Sequence, residues 1–364
     1  MKILVDGRWM SAPLRGMGRF ASQLVQPLLG TNRLVILSPT SSVQNHASSA
    51  IYRCSTPYPL WEQLVLPSVA AKIKASYILC PYNTGPIFRS SNQKVLLVIH
   101  DLIYLESYRN LALSSSFYQS LGRIYRRVVM PPVLSEAFRV VTVSQFTKDQ
   151  IIRRFRLSEE QVDVIPNAVS NEWLTGAPSL ADRNAAIYLA VTGDAPSKNL
   201  AALLKAFRIA EGELPPEACL WIVGVPKARQ ERWIKMAVAL GIAAKVFFYS
   251  NLTDIELMDL YDRAGSLVFP SLMEGFGIPL IEAMSRQLPI AASNTTAIPE
   301  VVSDAAVLFD PLDARNIASA IVKVGRDSVL REQLARCSEI RAQSFSHEAI
   351  RPLIKKFWVE LGAL

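Results

Sequence analysis

The sequence predicts an α/β protein with two Rossmann-like domains that face each other across a cleft. Its 364 residues are enough for two domains, each with its own hydrophobic core. Short β-branched runs alternate with longer helical patterns, which is typical of parallel, doubly wound sheets. A polar, turn-rich run at residues 171–183 separates two such series, so we expect the domain junction there.

The first domain is expected to span residues 1–175. Its predicted strands are short apolar runs at 3–5, 34–37, 77–80, 95–99, 140–143 and 162–165. Helical patterns, with apolar residues every three or four positions, lie between them at 19–29, 62–74, 115–129 and 146–155.

The second domain is expected to span residues 183–345. The same alternation predicts strands at 187–191, 220–223, 246–249, 266–269 and 290–292. The predicted helices are at 200–211, 227–240, 254–264 and 278–285. Residues 346–364 should form a C-terminal helix that packs back on the first domain. Because ligands bind beyond the carboxyl ends of such strands, we expect the chemistry in strand-to-helix loops.

Composition excludes several classes of protein. Half of the residues are hydrophobic and 19% are charged, which argues against a disordered chain. No stretch has the ~18 charge-free apolar residues of a membrane span. The apolar start reaches Asp6 and Arg8 at once, unlike a signal peptide. Four scattered cysteines without a CxxC pair indicate neither a zinc site nor disulfides, so we expect a cytoplasmic protein.

The positive charge is concentrated in the first half. Residues 1–175 hold 19 Lys and Arg against 10 Asp and Glu, and the remainder hold 20 against 21. Three arginines, Arg123, Arg126 and Arg127, lie among apolar residues. On a helix this pattern gives a basic face beside an apolar one, which suits an anionic membrane or a lipid-diphosphate acceptor. A solvated helix face is the alternative. No basic stripe with interleaved aromatic residues occurs, so no nucleic-acid partner is expected.

The residues after the predicted strand 266–269 carry the strongest site signal. Glu274 stands in a loop beside Gly275 and Gly277, and a helix should begin near Pro279. Exposed N–H groups at a helix start, with glycines allowing close approach, form a site for anions or hydroxyls. Glu282 follows eight residues after Glu274, so two carboxylates could accept ligand hydroxyls. One solvated carboxylate and one on the helix face are the alternative.

The Glu-x7-Glu pattern in EGFGIPLIEA (274–283) resembles that of retaining glycosyltransferases with the GT-B fold. This large family includes bacterial lipopolysaccharide mannosyl- and glucosyltransferases. WEQLVLP (61–67) resembles the branch of O-antigen-type mannosyltransferases. Further segments similar to the family are RGMGRF (15–20), VIHDLIYL (98–105), VVTVSQFTKDQI (140–151), VIPNAV (164–169), SKNL (197–200) and SNTTAIPEVVSDAAVLFDPLD (293–313).

The resemblance implies roles for individual residues. Glu274 would accept hydroxyls of the donor sugar, Glu282 would hold the ribose, and Lys198 would neutralise the diphosphate. His100 would lie by the reacting sugar, so His100, Glu274 and Lys198 are the expected catalytic residues. The expected donor-binding residues are Gly16, Gly18, Arg19, Lys198, Ser271, Glu274, Gly275, Phe276, Gly277, Ile278 and Glu282. These roles are physically reasonable, because a departing nucleoside diphosphate develops charge that fixed cations and N–H dipoles stabilise.

Gly16 and Gly18 would let the first loop close over the phosphates. One departure from the family concerns the Arg that usually precedes the Lys by a turn. Here VTGDAPSKN offers Asp194 and Ser197 instead. We hypothesise that Arg15 or Arg19 supplies the missing charge.

His100 has two possible roles. Most histidines at strand ends are satisfied structural residues, but the expected cleft position and the VIHDLIYL segment favour function. The neighbouring Asp101 could orient the imidazole ring or cap the next segment.

The sequence and the resemblance therefore predict a retaining glycosyltransferase. Its first domain (1–175) is expected to bind the acceptor, and its second domain (183–345) the nucleotide sugar. Its expected substrates are a nucleotide sugar, with GDP-mannose preferred, and a glycan or lipid-linked acceptor in cell-surface polysaccharide synthesis, at the inner face of the plasma membrane. No cofactor or metal is expected, because no Asp-x-Asp pair occurs.

The alternatives are a hexosyltransferase that uses a UDP-sugar, a sugar-nucleotide epimerase and a non-catalytic sugar-nucleotide-binding protein. A dinucleotide-dependent oxidoreductase is disfavoured, since Gly16 lies about ten residues after the first strand rather than directly after it.

Overall fold

The structure, a computed structural model, describes residues 1–11, 16–39, 50–53, 56–107 and 117–364. Over these ranges the chain forms two compact units. Unit 1 comprises Met1–Glu106, Ser115–Asn167 and Ile350–Leu364, and unit 2 comprises Ser107–Ser114 and Ala168–Ala349. The predicted α/β class is confirmed, because each unit contains a parallel sheet accompanied by helices.

The described part of unit 1 contains a seven-stranded parallel sheet with the order β3-β2-β1-β4-β5-β6-β7. Its strands are β1 (Ile3–Asp6), β2 (Leu34–Ser38), β3 (Ala50–Arg53), β4 (Tyr77–Cys80), β5 (Lys94–Ile99), β6 (Arg139–Thr142) and β7 (Val162–Val164). The strand order reverses between β1 and β4, so the carboxyl ends of these two strands mark the switch point at which such sheets bind ligands.

The helices of unit 1 follow the apolar periodicity of the sequence. They are α1 (Gly16–Val25), α2 (Tyr58–Leu60), α3 (Leu66–Lys72), α4 (Phe117–Ser135) and α5 (Gln145–Phe155). A π-helical turn at Trp61–Val65 joins α2 to α3. The hydroxyl of Ser144 accepts the N–H of Thr147 at 3.1 Å, which caps the start of α5.

The described part of unit 2 contains a six-stranded parallel sheet with the order β10-β9-β8-β11-β12-β13. Its strands are β8 (Asn184–Val191), β9 (Cys219–Val223), β10 (Val246–Tyr249), β11 (Ala264–Phe269), β12 (Ile290–Ser293) and β13 (Ala306–Phe309). The order reverses between β8 and β11, so the loops after these two strands flank the switch point of this sheet.

The remaining helices surround this sheet and lead to the C-terminus. They are α6 (Asn171–Leu174), α7 (Leu200–Ala210), α8 (Lys227–Ala239), α9 (Asp254–Arg263), α10 (Ile278–Ser285), α11 (Ile298–Val302), α12 (Ala314–Arg326), α13 (Ser328–Gln343) and α14 (His347–Glu360). Residues of α14 from Ile350 onward belong to unit 1. In that unit the indole N–H of Trp358 donates to the carbonyl of Leu24 at 2.6 Å.

The boundary between the units lies earlier than the predicted junction at 171–183. Residues 168–175, expected in the first domain, belong to unit 2. The buried guanidinium of Arg286 holds them there, because it donates to the carbonyl oxygens of Trp173 at 3.2 Å and Thr175 at 2.6 Å. Turn-forming residues mark this segment in the sequence, but the distant arginine decides which unit it joins.

Two strands, β3 and β13, are missing from the prediction. Both are four-residue strands at the edge of their sheet. An edge strand has a neighbour on one side only and is commonly short. The β13 sequence AVLF is apolar throughout, so its length of four residues, rather than its composition, explains why the pattern missed it.

The three arginines of α4 do not form the basic outer face that the sequence suggests. Arg123 donates to the carbonyl of Glu106 at 2.9 Å, and Arg127 donates to the same oxygen at 2.8 Å. Arg126 lies over the ring of Tyr104, 4.7 Å from its centroid. These cations therefore secure the segment 104–106. No helix in the described ranges is long and apolar enough to cross a membrane.

The carboxyl end of β9 passes very close to the loop that follows β8. Gly224 has a φ of +99°, and a Cβ atom there would lie 2.1 Å from the carbonyl oxygen of Thr192. The backbone N–H of Thr192 donates to Val223 at 2.9 Å, so this loop cannot easily move aside. Residue 224 must therefore be glycine, and the contact positions the chain that continues toward Lys198.

We expect Gly224→Ala to destabilise the protein by about 1–3 kcal/mol, because alanine is strained at this φ and its methyl group overlaps a backbone oxygen. The midpoint of urea denaturation measures the effect. Gly212→Ala is the matched control, since a Cβ there meets nothing within 4 Å, and its effect should stay within about 0.5 kcal/mol. Equal midpoints for the two variants would contradict the close approach.

Candidate functional site

The loop between β11 and α10 occupies the switch point of unit 2. At its end, Gly277 has a φ of +100°, and a Cβ there would lie 2.8 Å from Cδ1 of Leu280. Ile278 and Pro279 then start the helix, as predicted. The predicted binding residues Gly275, Gly277 and Ile278 thus stand at a helix start beside the carboxyl edge of a central strand. N–H groups in such a place favour anions.

Lys198 and Glu274, predicted from separate motifs, meet directly. The Lys198 Nζ atom lies 2.6 Å from Oε1 of Glu274. The lysine side chain is 28% exposed and the glutamate 12%, so both groups remain within reach of a ligand. The loops that carry them are joined by a backbone hydrogen bond of 2.7 Å from the N–H of Leu272 to the carbonyl of Ser197.

Two polar residues that the sequence analysis does not assign hold this pair in place. The Asn199 amide donates to the carbonyls of Pro270 at 3.1 Å and Pro311 at 2.7 Å, from a backbone with a φ of +56°. The hydroxyl of Thr296 accepts the backbone N–H of Glu274 at 3.1 Å. Asparagine tolerates a positive φ better than most residues, so SKNL contained a signal for the first of them.

The second carboxylate of the Glu-x7-Glu pattern is buried in α10. Glu282 is 5% exposed, and its Oε2 accepts the hydroxyl of Tyr261 at 3.0 Å. Burial, reinforced by the adjacent carboxylate, raises the pKa of Tyr261 well above its usual range. The phenol therefore remains a donor and orients Glu282. Glu282 thus lies on a helix, as the alternative expects, but it is buried and hydrogen-bonded.

Ser271 and Phe276 differ in what they present to the site. Ser271 is fully buried, and its hydroxyl has no hydrogen-bond partner within the described residues. A buried hydroxyl without a partner is costly, so this position suits a ligand or a water molecule. The ring of Phe276 instead packs edge-on against Phe345 at 5.5 Å. Phe276 can therefore serve a ligand through its backbone rather than its side chain.

Two arginines that the sequence analysis did not select stand beside the lysine turn. Arg229 Nη1 lies 2.6 Å from Oδ2 of Asp194, and Arg232 donates to the backbone carbonyl of Asp194 at 2.9 Å. Both belong to α8, whose basic start KARQER was the available signal. They bring positive charge to the loop from which the family's usual arginine is missing.

The hypothesis that Arg15 or Arg19 supplies the missing charge stays a prediction. Arg15 falls outside the described residues, and Arg19 belongs to α1 in unit 1.

In unit 1 the glycines of RGMGRF lie in a helix rather than in a loop. The helix α1 begins at Gly16, so Gly16 and Gly18 form part of its first turn, contrary to the expectation of a closing loop. The helix buries an apolar face, formed by Phe20, Ala21, Leu24 and Val25. Burial of this face stabilises the helix although it begins with glycines. The ring of Phe20 lies edge-on to that of His100, 5.2 Å between centroids.

His100 directly follows β5 and is a buried, neutral imidazole. Its Nε2 lies 3.1 Å from the carbonyl oxygen of Pro81, and burial lowers its pKa to about 4. A carbonyl can only accept, so Nε2 carries the proton and Nδ1 is left as an acceptor. Asp101 accepts the backbone N–H of Ile103 at 3.0 Å, so it caps the following turn.

The buried state of His100 has a measurable consequence for stability. In the unfolded chain the imidazole protonates near pH 6.5, whereas in the folded protein it protonates near 4. Stability should therefore fall as the pH drops from 6.5 to 4, because the unfolded state binds a proton that the folded state does not.

Between pH 6.5 and 4, we expect the free energy of unfolding of His100→Gln to fall by about 3 kcal/mol less than that of the wild type. Urea denaturation at several pH values measures the difference. His347→Gln, which removes an exposed histidine of α14, is the control. A His100→Gln variant that loses as much stability as the wild type would show that the ring is not held neutral.

Two protein-family models match the chain, one on each side of the junction. The model described as Glycosyltransferase Family 4 matches residues 45–173. The model described as Glycosyl transferases group 1 matches residues 176–341. Together they account for most of the sequence, and the second includes Lys198, Glu274 and Glu282.

Curated relatives carry related names. O-antigen chain mannosyltransferase B of Escherichia coli is 29% identical over 237 residues, 59% of this chain and 58% of the relative. O-antigen chain mannosyltransferase RfbU of Salmonella typhimurium is 27% identical over 268 residues, 73% of this chain and 69% of the relative. The chain thus matches a little over half the length of the first of them.

Solved structures share the fold over nearly the whole chain. A sucrose-phosphate synthase of Thermosynechococcus elongatus has a TM-score of 0.74 at 18% identity, covering 100% of this chain and 99% of its own. The Anabaena protein HepE in complex with UDP-glucose has a TM-score of 0.74 at 16% identity, covering 99% and 100%. The two family models, the relatives and the shared architecture together make this chain similar to the glycosyltransferases with the GT-B fold, and among them to the O-antigen mannosyltransferases.

Proposed function

We propose that the protein is a retaining glycosyltransferase that moves a hexose from a nucleotide sugar to a hydroxyl of a glycan or a lipid-linked acceptor. The observation that supports this most is the contact of Lys198 with Glu274 at 2.6 Å, at the switch point of the unit 2 sheet. This pair combines a cation for the diphosphate and a carboxylate for sugar hydroxyls beside a helix start.

Donor binding would exchange the partners of this pair. A diphosphate carries negative charge, so it competes with Glu274 for the Lys198 ammonium. The released carboxylate can then accept hydroxyls of the sugar, while Glu282, oriented by Tyr261, accepts those of the ribose. Arg229 and Arg232, which bind Asp194, add positive charge to the loop that leads to Lys198. Charge that develops on the leaving group is thereby stabilised.

The transfer step then needs no strong base from the protein. The bond between C1 of the sugar and the diphosphate oxygen breaks, and a bond from C1 to the acceptor oxygen forms on the same face. The proton of the acceptor hydroxyl passes to the departing phosphate oxygen. A neutral His100 is compatible with this step, because its Nδ1 is an acceptor that adds no charge.

The donor is proposed to be GDP-mannose, supported by the mannosyltransferase names of the relatives and by the WEQLVLP segment. A UDP-sugar is the second candidate, since the Anabaena structure of the same fold is named as a complex with UDP-glucose.

We propose that the reaction is metal-independent. The sequence lacks an Asp-x-Asp pair, and Lys198, Arg229 and Arg232 provide cations in unit 2. Within the described ranges, no three His, Cys, Asp or Glu side chains converge as they do around a metal ion.

A lipid-linked acceptor would place the enzyme at the inner face of the plasma membrane. The excess of Lys and Arg in residues 1–175 supports an anionic surface as a partner. The arginines of α4 are not the basis for this part of the proposal, because they bind backbone carbonyls.

We expect Lys198→Ala and Glu274→Ala each to lower kcat by about 10²-fold or more, because each removes a group that stabilises charge at the reacting centre. Release of nucleoside diphosphate from GDP-mannose, and then from UDP-sugars, measures the activity. Lys235→Ala and Glu231→Ala are matched controls, since that pair is similar in length at 2.7 Å but is 74% and 80% exposed.

Near-normal turnover in both Lys198→Ala and Glu274→Ala would contradict the assigned site. Conversion of the donor into an epimer without release of nucleoside diphosphate would identify an epimerase. Failure of every donor to react would favour a non-catalytic binding protein.

A further inference from the structure

A second group of polar side chains in unit 2 lies toward the opposite edge of the sheet from Lys198 and Glu274. Helix α12 starts after the carboxyl end of β13 and runs back along the sheet, so its last turn lies near the amino ends of the strands. Tyr188 of β8 reaches this turn, since a Cβ atom on Gly325 would lie 1.9 Å from the Tyr188 hydroxyl oxygen. The missing side chain at residue 325 therefore leaves room for the phenol.

Two hydroxyl groups in this region are buried without a partner. Tyr188 is completely buried, and its hydroxyl has no hydrogen bond to any described residue. Ser266 of β11 is paired with Tyr188 in the sheet, so both side chains point to the same face. Ser266 is 1% exposed, and its hydroxyl likewise has no partner within the described ranges. Buried hydroxyls without partners are costly, so the two together indicate a place for a bound acceptor.

Arg331, in the first turn of α13, supplies a cation without a counter-ion. Its Nε is buried without a partner, and its guanidinium has neither a hydrogen bond nor an ion pair with the part of the chain that the structure describes. Burial raises the pKa of Tyr188 to about 12, and the positive charge of Arg331 opposes this rise. The phenol therefore stays protonated at neutral pH, as a donor within reach of the field of the guanidinium.

Arg183 adds to the positive charge beside Arg331. It is buried and donates to the backbone carbonyls of Tyr261 at 2.5 Å and Asp262 at 3.0 Å. Burial lowers the pKa of Arg183 to about 10; the Asp262 carboxylate opposes this effect, whereas Arg286 and Arg331 reinforce it. That carboxylate is already engaged by Arg286, at 2.6 and 2.8 Å. An anion next to Arg331 would therefore relieve repulsion between cations.

From these contacts we infer that Arg331, Tyr188 and Ser266 form a second anion site in unit 2, which takes a phosphate group. Each of the three side chains can donate, and none has an acceptor among the described residues. A phosphate offers several acceptor oxygens and a charge that matches the guanidinium. A water molecule would satisfy a hydroxyl but would leave Arg331 without a counter-ion. The inference does not depend on the proposed transferase function.

Calorimetric titration of the full chain tests the site, with inorganic phosphate and mannose 6-phosphate as probes at constant ionic strength. The titrations use the Lys198→Ala variant, so that the lysine turn does not bind the probes. We expect saturable binding. Binding of both probes would identify the phosphate group as the ligand, and binding of mannose 6-phosphate alone would identify a sugar phosphate as its source. No saturable binding of either probe would overturn the inference.

Arg331→Gln, introduced into the same variant, tests the cation. It should weaken phosphate binding at least about tenfold, because it removes the charged donor. Arg336→Gln is the matched control, since it removes the same charge from an exposed position of the same helix, and its affinity should be unchanged. Equal affinities in the two variants would overturn the inference, because binding would then depend on total charge or on another site.

Tyr188→Phe tests the hydroxyl and separates binding from a structural role. In buffer without phosphate its urea midpoint should not fall, because the hydroxyl has no partner to lose, whereas its affinity for phosphate should fall. Tyr261→Phe is the contrast, since that hydroxyl donates to Glu282 at 3.0 Å and its loss should lower the midpoint. An equal fall in both variants would show that the Tyr188 hydroxyl is satisfied within the protein. That result, or unchanged phosphate affinity in Tyr188→Phe, would overturn the inference.

Discussion

The ion pair between Lys198 and Glu274 is the interaction on which the donor side of the protein depends. Lys198 ends a short 3-10 helix (Pro196–Lys198) and Glu274 lies on an irregular loop, and these two segments follow adjacent strands, β8 and β11. A backbone bond from Leu272 to Ser197 and the side-chain amide of Asn199 fix the loops relative to each other. The rigid sheet thus converts two distant segments of sequence into one charged centre. A ligand that carries both a diphosphate and hydroxyls can satisfy both members of that centre at once.

The two units use the same architecture for different chemistry. Both place polar groups where the strand order reverses, since helices there lie on opposite faces of the sheet and leave a crevice. In unit 2 these groups are Lys198, Glu274 and the start of α10. In unit 1 they are two buried carboxylates, Asp6 and Glu62, around Arg8. The same architecture therefore carries different polar groups at its two switch points.

Buried polar residues support both sites, and this limits the substitutions that the protein tolerates. Glu62, Glu282 and Arg286 are all nearly inaccessible, and each has donors or acceptors that offset the cost of its burial. Removing one partner would leave the others buried and unsatisfied. These positions are therefore less tolerant of substitution than the exposed residues around them, even though a ligand would touch few of them.

The sequence by itself determined the α/β class, most strands and helices, and the loop of Glu274, because these follow from local periodicity, glycines and motifs. It missed the edge strands β3 and β13, which are only four residues long, and it assigned Gly16 and Gly18 to a loop although they begin a helix. Only the tertiary structure decided that Arg229 binds Asp194, that the arginines of α4 face backbone carbonyls, and that Glu62 accepts three hydroxyls. Most of these contacts join residues far apart in the chain, although Tyr58 stands only four residues before Glu62. No local pattern specifies which distant segment lies opposite a given side chain, because the packing of the whole sheet and its helices sets that distance.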